Sequence, residues 1–230
     1  MVGKLIVIEG TDGTGKETQT KILIEKMKSS DIPVETMSFP RYELEWGMRV
    51  RQYLSGMHKD GIGNDPWPPS TLYAMDRLSA TPQLLEWLDN GTNVVLDRYM
   101  ESNLGYQGAK LEGNERSELI KKLTYFEHNM LGIPRSDLVI YLDLPLQESV
   151  KVIKKREEEA KAAGKSYKDI HEQDMWYLGK VRETYLELAF TRKNWKTIDC
   201  MKKDGNRLPR EDISFMIWQH VSELVNAKFI

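Results

Sequence analysis

The sequence predicts a three-layer α/β fold, with a parallel five-stranded sheet flanked by helices. Two observations predict it. Short, branched apolar runs recur along the chain, each bounded by glycine, proline or an acid. The intervals between them carry helical periodicity, and strands alternating with helices imply a parallel sheet covered on both faces. At 230 residues with 40% hydrophobic content, the chain suits one domain, 1–230, with a sizeable core.

The first run, Leu5–Ile8, ends at Glu9-Gly10 and reads as a buried strand. A helix follows directly from Lys16, with Ile22, Leu23 and Met27 at apolar positions. Val34–Phe39 is a second strand closed by Pro40, and 45–54 a helix. Proline and glycine keep "HKDGIGNDPWPPS", 58–70, irregular. Helical sequence resumes near Ser70, the expected N-cap, and Pro82 is expected to kink or divide it. "TNVVLD", 92–97, is the third strand. Leu119, Ile120, Leu123, Phe126 and Met130 then recur at helical spacing, and Gly132 supplies the stop. "DLVIYLDL", 137–144, is the fourth strand. Pro145 opens a helix that ends in a charged stretch, and Met175, Leu178, Tyr185 and Leu188 line another. "WKTID" is the fifth strand and 210–228 the last helix. Ligands of such sheets bind at the carboxyl ends of strands, where the candidate site segments fall.

Composition excludes several classes. A formal net charge of −2 gives no global pull towards nucleic acid or an anionic membrane. The six tryptophans lack basic interleaving, so no nucleic-acid stacking surface is expected. No apolar run approaches bilayer-spanning length, and Leu5–Ile8 is too short for a signal peptide. One cysteine, Cys200, rules out an internal disulfide and a cysteine metal cluster. His58, His128, His171 and His220 show no metal-ligand spacing. A cytoplasmic setting is expected, with no nucleic-acid or membrane partner.

"GTDGTGKETQ" carries the first chemistry. Gly10, Gly15 and Lys16 satisfy G-x-x-x-x-G-K between a predicted strand and helix, the context of a P-loop NTPase-type fold. Gly10, Thr11, Asp12, Gly13, Thr14, Gly15, Lys16, Glu17 and Thr18 are therefore candidate ATP-binding residues. Their backbone N–H groups can converge on phosphate oxygens, the helix N-terminus adds favourable potential, and Lys16 reaches the outer phosphates. Two acids break the pattern. Glu17 stands where a hydroxyl normally holds Mg2+. Either its carboxylate holds the metal directly or through water, Thr18 substitutes about 100° further round the helix, or the site is weakened. The first is the expectation, with Asp97 as the other metal residue. Asp12 would repel a triphosphate, so it is expected to point out of the cradle. On the loop alone, an Asx-turn explains it equally well.

Four further segments accompany the loop: "FPRY" (39–42), "YAMDR" (73–77), "DRYMESNLGYQG" (97–108) and the charged stretch near 156–172. Together with the loop they resemble the thymidylate kinase family, over residues 4 to about 199. The resemblance implies transfer of a phosphoryl group from ATP to dTMP, Mg2+ as cofactor, a homodimer, and a mobile lid at about 154–172. It implies that Asp12 meets the sugar 3′-hydroxyl and that Arg41, with Tyr42 beside it, grips the dTMP phosphate. It places Tyr73 on the thymine ring, Arg77 on a base carbonyl, and Asn103 with Gln107 on the pyrimidine edge. Ser102 follows in the same segment, and Tyr106 matches the aromatic that crowds the sugar 2′ position. Lys16, Asp97, Arg98 and the lid cation Arg156 are the implied catalytic residues, with Arg182 a second candidate cation. Lid lysines Lys161, Lys165 and Lys168 lack a guanidinium's fork. The implied chemistry is in-line transfer by positioning and charge neutralisation. An acceptor other than dTMP, such as dUMP, or binding without turnover because of Glu17, are the alternatives.

Overall fold

The computed structural model describes residues 2–56, 65–162 and 174–225. His58, Lys165, Lys168 and His171 lie outside the described residues, as does the expected lid beyond Ala162.

Five strands, β1 (Leu5–Gly10), β2 (Val34–Ser38), β3 (Asn93–Asp97), β4 (Leu138–Asp143) and β5 (Trp195–Asp199), pair in parallel in the order β2-β3-β1-β4-β5. Central β1 is buried throughout and pairs Ile8 with Asp97 on one side and with Ile140 on the other. Alternation along the strands divides the core into two layers. Leu5, Val7, Val94, Leu96, Val139 and Tyr141 face α3 (Trp67–Asp89), α4 (Met100–Gly108) and α7 (Met175–Thr191). Ile6, Ile8, Val95, Ile140 and Leu142 face α1 (Lys16–Ser29) and α8 (Arg210–Leu224). Helices α2 (Glu45–Leu54), α5 (Gly113–Tyr125) and α6 (Leu146–Ala162) complete the described set. No helix among the described residues is long and apolar enough to cross a membrane.

Three expectations are corrected. Helix α3 begins at Trp67, not Ser70, whose hydroxyl instead donates to Pro66 O at 2.6 Å. Pro68 and Pro69 fit the first turn, where a missing N–H has no helical partner to lose. Pro82 does not divide α3: the helix runs on to Asp89, with Pro82 exposed and Ala80, Leu84 and Leu88 anchoring the opposite stripe on the sheet. Finally, the helix expected to reach Met130 changes to a π-helical turn over Phe126–Met130, leaving Met130 exposed and burying Glu127.

Candidate functional site

A cleft of about 970 Å³ opens at the carboxyl ends of β1 and β3. One end is the phosphate loop. Gly13 has φ 81°, and a Cβ there would meet Ser149 O at 2.8 Å, so the loop lies too close to α6 for a side chain. Thr11 and Thr14 are buried beneath the cradle with Gly10, and the cleft itself is lined from Asp12 through Gln19. Lys16 Nζ and Thr14 Oγ1 both donate to Thr11 O, at 2.9 Å each. Burial, then the nearby Arg98 charge, lowers the Lys16 pKa to about 8. An incoming triphosphate would bring anionic oxygens to this buried ammonium, whose direct partner here is the Thr11 carbonyl.

The middle of the cleft is an ion pair. Arg98 leaves the end of β3 with φ 65°, unusual for a side-chain-bearing residue, and its N–H donates to Ile8 O at 3.1 Å. Its guanidinium donates to Asp12 Oδ1, while Tyr106 OH donates to Asp12 Oδ2 at 2.6 Å. Burial alone would raise the Asp12 pKa, but Arg98, Lys16 and the Tyr106 hydroxyl outweigh it and hold it at about 2. Asp12 therefore points out of the phosphate cradle and stays ionised. Beneath the pair, Glu9 accepts from Tyr99 N at 3.0 Å, Ser102 Oγ at 2.8 Å and Tyr185 OH at 2.8 Å. Burial raises the Glu9 pKa. Ser102 is thus occupied in holding the floor of the site.

The far end is lined by aromatic, amide and guanidinium side chains. Tyr73 and Tyr42 line the cleft and pack on Val50, Tyr53 and Leu54. Arg77 is buried and forks onto Glu127, its Nε and Nη2 donating to the two carboxylate oxygens at 2.6 Å each. Asn103 Nδ2 donates to Glu127 Oε1 at 2.9 Å and to Ser70 O at 3.2 Å, leaving Asn103 Oδ1 buried without a protein donor. Both amide atoms of Gln107 are likewise buried and unpartnered. Buried polar atoms without partners are costly, so such a cluster in a cleft marks where a ligand's polar edge belongs.

Three expected residues are placed differently. Arg41 does not line the cleft: its Nε donates to Asp76 Oδ1 at 3.0 Å and its Nη2 to Ser79 Oγ, because the buried Asp76 carboxylate attracts the guanidinium. Glu17 edges the cleft, but its side chain is 76% exposed and its carboxylate accepts from Lys21 Nζ at 2.6 Å, one helical turn on. Arg182 is forked onto Asp143 at 2.7 and 2.8 Å, away from the cleft lining. Arg156, on α6, does line the cleft, as do Thr18 and Asp97. Asp97 Oδ1 is buried without a protein partner, which fits a water or hard cation beside the phosphates. Among the described residues, no group of three or more His, Cys, Asp or Glu could hold a metal by itself.

Sequence reasoning passed over Glu9, Glu127 and Arg207. Arg207 Nη2 donates to Thr14 O at 2.6 Å and its Nη1 to Gly13 O at 3.4 Å, bracing the phosphate loop from the segment after β5. Its place beyond a strand's carboxyl end was the available signal. Glu9 was an acid closing an apolar strand. Glu127 gave no signal, being one polar residue within an amphipathic helical pattern.

The profile of the family described as thymidylate kinase matches residues 8–207. The thymidylate kinase of Homo sapiens is 27% identical over 200 residues, covering 87% of this chain and 84% of its own. A probable thymidylate kinase of Pyrococcus abyssi is 31% identical over 203 residues, covering 87% of this chain and 90% of its own. Among solved structures, a thymidylate kinase from Candida albicans shares the fold, with a TM-score of 0.71 over 100% of this chain and 95% of that one, at 21% identity. The profile match runs from inside β1 to the arginine that braces the phosphate loop, and on that extent this chain belongs to the thymidylate kinase family.

Proposed function

We propose that this chain transfers the γ-phosphoryl group of ATP to dTMP, giving dTDP and ADP. The observation that carries the reading is one cleft with a phosphate loop at one end and unpartnered base-reading groups, Asn103 Oδ1 and Gln107, at the other. The two ends meet at Asp12 and Arg98, where donor and acceptor phosphates would converge.

The acceptor phosphate already carries nucleophilic oxygens, so positioning and charge neutralisation supply most of the catalysis. Lys16 binds the β- and γ-phosphates, Arg98 lies between donor and acceptor, and Arg156 meets the transferring group. Asp12 receives the sugar hydroxyl, Tyr73 stacks on the base, and Tyr106 shuts the floor of the sugar site. Arg41 reaches the acceptor phosphate only by leaving Asp76, so Arg98 is assigned that phosphate first. Asp97, with Thr18 at the helix start, would hold the Mg2+ that accompanies ATP, which when bound neutralises phosphate charge. Glu17, turned to Lys21, is not assigned to it.

An ADP-release assay over dTMP, dUMP, dCMP, dGMP and AMP tests the reading. Preference for dTMP is expected; equal or greater turnover of dCMP, or no ADP with any acceptor, refutes it. The proposal includes a homodimer in a cytoplasmic setting. Exposed Trp67, Tyr125 and Met130 beside the π-helical turn are candidates for covered surface. Sedimentation at micromolar concentration checks this, and a monomer there refutes the dimer.

A further inference from the structure

The amide of Asn103 can present either its oxygen or its NH2 group to the cleft, and the two choices read opposite ligands. An outward oxygen accepts from a ring N–H. An outward NH2 group donates to a bare ring nitrogen. Glu127, through the shorter of two bonds to the amide, leads the choice between them. An ionised carboxylate accepts hydrogen bonds and donates none, so the amide face turned to it must be Nδ2. Ser70 O, also an acceptor, makes the same demand from a second direction, at 3.2 Å. The oxygen is therefore left as the unpartnered buried atom. The same carboxylate takes two of the Arg77 donor groups, and Arg77 Nη1 remains with Tyr99 O at a long 3.4 Å.

We propose that Glu127 is a specificity-determining positioning residue: by fixing the Asn103 amide with its oxygen outward and the Arg77 fork beside it, it makes the cleft read a pyrimidine with a protonated ring nitrogen and an adjacent carbonyl, and reject one with a bare ring nitrogen and an amino group. This rests on the dTMP reading above and names the atom that enforces it.

The π-helical turn is how the fold delivers this carboxylate. With i→i+5 spacing, Leu131 N–H donates to Phe126 O at 3.0 Å, and the widened turn buries Glu127 completely. Tethers on both sides hold it. The Phe126 ring meets Trp67 edge-on at 6.4 Å, and His128 Nδ1 bonds Ile133 O at 2.8 Å. The turn therefore joins the N-terminal end of α3 to the base end of the cleft, and it encloses the carboxylate without contributing a group of its own to the lining.

The test compares dTMP and dCMP, by kcat/KM and by calorimetric binding, in wild type, E127Q and E127D. Glutamine can donate as well as accept, so it permits the Asn103 amide to turn at the cost of only the longer bond to Ser70 O. In E127Q the dTMP-over-dCMP preference is expected to fall about 10-fold or more, through loss for dTMP and gain for dCMP, with the KM for ATP unchanged. E127D keeps the acceptor-only charge and the partner for Arg77, and is expected to keep most of the preference while binding dTMP more weakly. A thermal melt of each variant reports folding. If E127Q loses activity equally for both nucleotides, or E127D is as unselective as E127Q, the assignment of Glu127 is overturned while the dTMP reading stands. A wild type that prefers dCMP overturns both.

Discussion

Asp12 is an acid within a turn that receives anions, and its partners explain how it is tolerated. Arg98 and Tyr106 hold its carboxylate, and its pKa of about 2 lies below the ordinary 3.8. A folded-state pKa below the unfolded one contributes stability that is present above about pH 4 and lost as pH falls through about 2. The shift corresponds to about 2 kcal/mol. D12N should therefore unfold at least that much more easily at pH 7, with the gap closing between pH 4 and pH 2. Urea melts across this range check it, and a gap independent of pH would show that the amide's packing, not the charge, is responsible. Glu17 is the opposite case. Its exposed carboxylate rests on Lys21, so E17S should leave both activity and the Mg2+ requirement within about twofold of wild type, measured by an Mg2+ titration. The sequence permitted that conclusion, since Glu and Lys four apart on a helix are neighbours. The loop pattern drew attention to position 17, whereas the local i, i+4 rule determines where its side chain goes.

At the level of elements, the sheet and its flanking helices were legible because branched apolar runs and helical periodicity are local signals. What was not legible is what depends on contacts far apart in sequence. The resting place of Arg41 is one such case: Asp76, 35 residues away on α3, accepts from both its backbone N–H and its guanidinium. The same segment is fixed from α2. A Cβ on Gly47 would lie 1.9 Å from Arg41 O and 2.8 Å from Tyr42 N, so the turn carrying "FPRY" rests directly on the backbone of α2. Alanine there must push the turn off the helix, which moves Tyr42 at the acceptor end and leaves the phosphate loop alone. G47A is expected to raise the KM for dTMP about 10-fold or more, with little change for ATP. Steady-state kinetics varying each substrate separate the two. Equal rises for both would mean that the disturbance spreads through the sheet. The π-helical turn was illegible for a related reason: its extra residue leaves no mark in a pattern that reads as continuous helix up to Gly132.

Across the whole molecule, the two ends of the cleft, assigned above to donor and acceptor, lie against different layers and meet at the Arg98–Asp12 ion pair. The donor end is built on α1 and the segment entering α8, which pack on one face of the sheet. The acceptor end is built on α3 and α4, which pack on the other. Between them, Arg98 is held by Asp12 through a half-buried pair with side-chain exposures of 19% and 15%. Arg98 reaches Asp12 through Nη2 alone, so phosphates that draw the guanidinium towards themselves would loosen that pair. Whichever nucleotide binds first bears the cost, and the second finds the guanidinium already redirected. Binding should then be positively coupled, and linkage requires the same factor in both directions. Calorimetry with a non-hydrolysable ATP analogue is expected to give about fivefold or more tighter binding when dTMP is saturating, and dTMP should gain equally from the analogue. D12N, which has no carboxylate to surrender, should lose most of this coupling while still binding each nucleotide. Independent binding in the wild type would mean that Arg98 stays on Asp12 throughout the reaction, and the charge between the two phosphates would then have to be met by Lys16 and Arg156.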